Sequence, residues 1–228
     1  MGQRVTREVG EDRRLVFLVG LAAVAFSALY LASDLIELAH GGFSTVQLVL
    51  TLAAEAAIPF FLVGLYAVQR PRIGMLGLIG AAVYAYSFVF FTGTVVFALV
   101  NGTRNWDALV DQLGLWVTIH GALMVLSGLA FGFAVVRAGV LPRWTGVMLM
   151  TGVVLVAVSS GLPDALQTAS AGVRDLAFAG MGASLLHARR ARILRGGWVP
   201  GDAGSTRSVD VAAHTMATRT AEALEAAR

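Results

Sequence analysis

Six long stretches of predominantly apolar residues, separated by short polar joints, leave this chain little choice of architecture. They run approximately over residues 15–35, 45–68, 73–100, 109–136, 144–162 and 168–186. A hydrocarbon core about 30 Å thick is crossed by about 20 apolar residues in helical form. Between the stretches lie HGGFS around Gly41, QRPR at Pro71, NGTRNWD at Asn101, RAGVLPR at Pro142 and LPDALQ at Pro163. These are turn sequences, and they leave no room for a separate soluble domain. The expected fold is all-α: an integral membrane bundle of six transmembrane helices with lipid as its main solvent.

Composition agrees. The chain is 57% hydrophobic and 14% charged, with a mean hydropathy of +0.75, whereas charged residues run near a quarter in soluble domains. Cysteine is absent, which excludes disulfides, thiolate metal sites, iron–sulfur clusters and a cysteine nucleophile; any metal would need His, Asp or Glu. The positive charge is all arginine and clusters at the ends of apolar runs. No basic stripe with interleaved aromatics occurs, so no nucleic-acid partner is expected.

The arginines set an orientation, because positive charge in short loops resists translocation. One side of the alternating topology holds Arg4, Arg7, Arg13, Arg14, Arg70, Arg72, Arg137, Arg143, Arg189, Arg190, Arg192 and Arg195; the other holds Arg104 and Arg174. The bundle is therefore expected N-in/C-in, which an even number of spans satisfies. Residues 1–14 form a basic cytoplasmic N-terminus, 15–190 the transmembrane domain and 191–228 a flexible cytoplasmic tail, Gly/Pro/Ser-rich and then alanine-rich. The first apolar run exceeds a signal-peptide core and lacks a clear A-x-A site, so an uncleaved anchor is expected.

The stretch from His120 through RAGVLPRWTGVMLMTGV, preceded by FFLVGLYAVQRP, resembles an uncharacterised family of bacterial six-span membrane proteins. In that family a turn of the form G-x-L-P-R-x-x-G links the fourth and fifth helices. The resemblance covers roughly residues 45–187 and implies a bacterial cytoplasmic (plasma) membrane protein. It supplies no catalytic or binding residues.

Chemistry then rests on polar residues in or near the spans, since an ionisable group in lipid is costly unless it faces an interior and finds partners. Glu55, about ten residues into the second span, is expected near the midplane, and His120 at similar depth in the fourth. Together they would make a buried pair able to orient a tautomer, relay a proton or ligate a cation, or simply clamp helices. Tyr84 and Tyr86 in the third span need hydroxyl partners. Asp34, Glu37 and His40 follow the spacing i, i+3, i+6 at the outer end of the first span. They are either solvated interfacial charge or oxygen and imidazole ligands for a cation. Asp164, Arg174 and Asp175 are expected at the same face, forming a salt-bridged lid. Trp106, Trp116, Trp144 and Trp198 suit interface anchors, and the glycines, among them Gly74, Gly77, Gly80, Gly128 and Gly132, suit close helix packing rather than phosphate binding.

The function these features imply is non-enzymatic: small-solute transport or an accessory membrane subunit, with the lipid bilayer, a second copy or another membrane subunit as partner. The alternative is an intramembrane metal-dependent hydrolase acting on a lipid-like substrate through the same acids and histidines. A bis-histidine haem site fits poorly, because only His120 lies well inside a span. The sequence assigns no cofactor.

Overall fold

The computed structural model describes the backbone of residues 2–196 and the side chains of residues 14–188. The tail from residue 197 onward, Trp198 included, lies outside the described residues, as do the side chains of Arg4, Arg7, Arg13 and the arginines from Arg189 on. All regular structure among the described residues is helical: α1 (Gly2–His40), α2 (Thr45–Gln69), α3 (Gly74–Asn101), α4 (Trp106–Leu113), α5 (Leu115–Ala138), α6 (Arg143–Ser159) and α7 (Asp164–Gly196). Residues Met1–Arg189 form one compact unit.

Four helical segments are long and apolar enough to cross a membrane: Arg14–His40, Thr45–Val68, Gly74–Asn101 and Leu115–Ala138. Helix α6 is apolar but shorter, at 17 residues. Helix α7 has 33 residues and carries Arg174 and Asp175 well inside it. Side chains such as Phe60, 80% exposed, and Val100, 79% exposed, point outward from these helices. A helix apolar on its outward face as well as its inward one belongs in hydrocarbon.

One boundary differs from the sequence expectation. The fourth apolar run, expected from residue 109, is broken at Gly114, whose φ of 53° and ψ of −124° suit no residue with a Cβ. Its first turns become the separate amphipathic helix α4, capped by the Asn105 side chain accepting from the Ala108 N–H at 2.9 Å. Leu109 of α4 packs with Leu48, Val95 and Ala98 at this end of the bundle. There the α1–α2 turn meets the α3–α4 turn, with the Phe43 N–H donating to the Arg104 carbonyl at 2.8 Å.

The helices form a closed ring. Helix α1 packs on α2, α2 on α3, α3 on α5 and α5 on α6. Helix α7 completes it: its Gly182 faces Gly20 of α1, and Gly152 of α6 lies against the Arg174 backbone. Phe178 of α7 fills the centre, edge-on to Phe61 of α2 at 5.4 Å and 6.1 Å from the Tyr84 ring of α3.

Glycine sets these close approaches, as expected for Gly80, Gly128 and Gly132. A Cβ at Gly132 would meet the Gly146 carbonyl at 2.9 Å, and one at Gly80 would meet the Phe131 nitrogen at 2.7 Å. Gly74 is different: it turns the chain at φ 67° with open space beside it. Gly77 sits over Ile73 of its own N-terminal turn.

Gly132→Val is therefore expected to force α5 from α6 and to destabilise the protein by about 1–3 kcal/mol. Gly93→Ala and Gly121→Ala, where nothing stands within 4 Å, are expected to be neutral or stabilising by up to about 1 kcal/mol. Unfolding in mixed detergent micelles measures both.

Candidate functional site

Three helices place a polar side chain at the same level. Tyr30 lies ten residues before the end of α1 at His40, Glu55 ten after the start of α2 at Thr45, and Arg174 ten after the start of α7 at Asp164. At ~1.5 Å per residue, each is about 15 Å from one end of its helix.

Their contacts make a single buried layer. The Tyr30 hydroxyl donates to Glu55 Oε1 at 2.8 Å. Arg174 Nε donates to Asp175 Oδ1 at 3.1 Å, and its Nη2 lies 3.0 Å from the same oxygen. The guanidinium carbon sits 4.8 Å from the centre of the Tyr30 ring and 5.7 Å from that of Phe88, so aromatic faces supply part of its stabilisation. Asp34, Glu55 and the Tyr84 hydroxyl lie within electrostatic range of Arg174. Glu55, Arg174 and Asp175 are each no more than 5% exposed.

The layer is under-satisfied. Asp34 Oδ2, Glu55 Oε2, Asp175 Oδ2, the Tyr84 hydroxyl and Arg174 Nη2 are buried without a hydrogen-bond partner, the last held by ion-pair contact alone. Pro59 adds a further acceptor: it lies inside α2 and has no N–H, so the Glu55 carbonyl four residues earlier lacks its helical donor. The charges do not balance either, since one guanidinium faces the carboxyl groups of Asp34, Glu55 and Asp175. In a low-dielectric interior each unmatched charge costs several kcal/mol, so two of the three carboxyl groups must be neutralised by bound positive charge.

The structure redistributes the residues singled out from the sequence. Asp34, Glu55, Tyr84 and Arg174 come together in this layer. Arg174 is not part of an outer lid, because α7 starts at Asp164 and carries it nearly three turns inward to Asp175. Asp164 stays exposed, within electrostatic range of the like-charged Glu37. His40 is exposed at the end of α1, with Nδ1 2.9 Å from the Ile36 carbonyl of its own helix.

The Glu55–His120 pair is not formed. His120 is held by the other face of α3, stacked on Phe90 at 3.6 Å and 3.2 Å from the Tyr86 hydroxyl, with its Nδ1 2.8 Å from the Trp116 carbonyl. Tyr84 and Tyr86 differ by two positions, which at about 100° per residue sends them to nearly opposite sides of α3. Tyr84 therefore enters the core while Tyr86 remains 55% exposed. Among the described residues no three His, Asp or Glu side chains are arranged to hold a metal ion.

Sequence reasoning passed over Tyr30, Ser33, Gln47 and Thr51, and it placed Asp175 at the rim. A signal for the first four was present. Residues 47, 51 and 55 repeat every four positions on α2, while 30, 33, 34 and 37 mark one face of α1, so both helices carry a polar stripe.

No known protein family matches this chain, and neither a curated protein nor a solved structure proves similar to it.

Removing the Tyr30 hydroxyl by Tyr30→Phe is expected to cost about 1–3 kcal/mol, since it leaves a buried carboxyl oxygen unpaired. In a Glu55→Gln background the same change is expected to cost less, and the double-mutant cycle reads the difference. Arg174→Met, which leaves the carboxyl groups without their cation, is expected to cost about 3–5 kcal/mol.

Proposed function

We propose that this chain is a six-span protein of the bacterial plasma membrane with both termini in the cytoplasm. It carries a small solute across the bilayer with a proton bound at Glu55. The observation that carries this reading is the buried layer itself, in which the carboxyl groups outnumber the guanidinium and three of their oxygens, with the Tyr84 hydroxyl, have no partner.

Protons fit better than a metal ion as the two balancing charges, and Glu55 is the site that binds one of them. A proton needs a single carboxyl oxygen, which Glu55 Oε2 offers, whereas the described acids and histidines do not converge as ligands. The groups within hydrogen-bonding or electrostatic reach of Glu55 are Tyr30 and Asp34 from α1, and Arg174 and Asp175 from α7. Proton binding in this setting changes the net charge of a layer where α1, α2 and α7 meet and where Gly152 of α6 lies against the Arg174 backbone, which is the coupling a carrier uses.

The glycine contacts favour a carrier over an accessory subunit. Gly20, Gly80, Gly128, Gly132, Gly146, Gly152 and Gly182 are all used inside the ring, rather than offered to another chain as a small-residue docking face. For the orientation, the support is the arginine asymmetry, with Arg70, Arg72, Arg137 and Arg143 at one end of the bundle and Arg104 at the other.

Both parts are open to direct tests. Because the chain has no cysteine, single reporters need no background changes. A membrane-impermeant maleimide is expected to label Arg104→Cys and Ser160→Cys on intact cells, and Arg72→Cys and Val140→Cys only after permeabilisation. The reverse pattern would overturn the orientation, and identical behaviour of Val140→Cys and Ser160→Cys would remove α6 as a span. For the proton, infrared difference spectra between acidic and basic medium are expected to show a protonated-carboxyl band that Glu55→Gln abolishes. Proteoliposomes carrying that variant are expected to lose at least tenfold of any uptake driven by a pH gradient across a panel of small solutes. An unchanged carboxyl band in Glu55→Gln would refute the proposed proton site.

A further inference from the structure

The two polar stripes meet. From the end of the bundle at the α1–α2 turn, Glu37 accepts from Gln47 Nε2 at 3.0 Å, and the same amide nitrogen donates to Thr51 Oγ1 at 3.1 Å. Thr51 is hydrogen-bonded across the helix interface to Ser33, whose hydroxyl also lies 3.0 Å from the Gln47 carbonyl. One turn beyond Thr51 on α2 comes Glu55, joined to Tyr30 of α1. Glu37 is half-buried beside the exposed His40, whereas Gln47, Thr51, Ser33 and Glu55 are buried. Hydrogen-bonding side chains thus recur at each turn from the rim to the layer, while the hydrogen bonds themselves stop at Thr51 and Ser33, one turn short of Glu55.

Beyond Glu55, past the buried and unpartnered Ser27 hydroxyl on α1, the bundle becomes apolar. Val19 occupies the space over Gly64, and Ala23, Ile58, Phe61, Leu62 and Leu65 are buried in the apolar core. At the far end the Gln69 amide is turned onto its own helix, donating to the Leu65 carbonyl at 2.9 Å. Polar groups in a lipid-embedded interface are costly unless satisfied, so a stripe confined to one half of a helix pair calls for an explanation. Two atoms along it remain without partners while fully enclosed, Gln47 Oε1 and Asp34 Oδ2, and Glu55 Oε2 waits at its end. Helix clamping would be served by closing those acceptors; a path for a positive charge is served by leaving them open.

We propose that the α1–α2 seam is a one-sided proton path, leading from Glu37 past Gln47 through Thr51 and Ser33 to Glu55, open only at the end of the bundle that carries the α1–α2 turn. The inference rests on Glu55 as the proton site and adds the side and the route. The Thr51 and Ser33 hydroxyls form the relay with the water that the open acceptors admit, and Gln47, four residues or about 6 Å from Thr51, holds Glu37 and Thr51 in line by donating to both. Each hydroxyl or water takes up one proton and releases another, so the net change is one O–H bond broken at the rim and one formed at Glu55 Oε2.

A relay group changes how fast a proton arrives and leaves, in equal proportion, and not how much binds at equilibrium. Full-length protein in sealed vesicles of one orientation is given a pH jump on one face, and the Glu55 carboxyl band is followed by time-resolved infrared spectroscopy. In the unmodified chain the band is expected to respond promptly to a jump on the α1–α2-turn side and at least tenfold more slowly to one on the opposite side. Thr51→Val is expected to slow the prompt response at least tenfold with its final amplitude unchanged, and Thr51→Ser to restore it. Ser33→Ala removes the partner of the same hydrogen bond and serves as the second variant should Thr51→Val not fold. Full amplitude with an unslowed rate in both variants, or an equally fast response from either face, would overturn the path while leaving Glu55 as the proton site. A band with no amplitude in the unmodified chain would instead overturn the proton site, and the path with it.

Discussion

A guanidinium that cannot lose its proton has been placed inside a bundle whose outer surface is hydrocarbon. Much of the arrangement around Arg174 answers to that constraint. Asp175, its chain neighbour, gives it a carboxylate with no loop to close, and the rings of Tyr30 and Phe88 offer their faces. Tyr30 in turn spends its hydroxyl on Glu55, so α1 and α2 are tied to the charge that α7 carries. The cost of a buried ion pair is rarely recovered in stability alone, which is why such a layer points to use rather than to scaffolding.

Holding that charge requires close backbone approach, and glycine provides it. At Gly152 a Cβ would stand 2.6 Å from the Arg174 nitrogen, so only glycine lets α6 sit directly over the residue that bears the charge. The reciprocal pair Gly132–Gly146 does the same for α5 and α6, and Gly20–Gly182 for α1 and α7. In lipid, where apolar surfaces gain nothing from avoiding water, such contacts supply much of the packing energy between helices. The ring is thus tight at the polar layer through Gly152, and nearer the opposite end of the bundle through the other two pairs.

The sequence made the helices legible because hydrocarbon thickness dictates their length, and it made Glu55 and Arg174 conspicuous because charge in an apolar run is rare. What it concealed was azimuth. Glu55 and His120 were both readable as deep, yet only the three-dimensional order of the helices shows that α3 stands between α2 and α5, with His120 against its Phe90 face. Arg174 was readable as near an acid, but its depth depended on where α7 begins, and Pro163 with Asp164 starts that helix earlier than the apolar run suggests. The break at Gly114 escaped notice because α4 is itself rich in apolar residues. Tyr30 and Thr51 are unremarkable singly; they acquire meaning from the residues four positions away.

Helix α7 is also the last of the bundle to leave the ribosome, and it alone brings the guanidinium and the central Phe178. Until it arrives, the chain already inserted is an open arc, with Phe61 and Tyr84 facing an unfilled slot and the acids of α1 and α2 without their counter-ion. The bundle therefore cannot close prematurely on a truncated product. Synthesis must reach α7 before the interior becomes electrically and sterically complete, so a chain interrupted within α7 is left with unmatched acids and an open core.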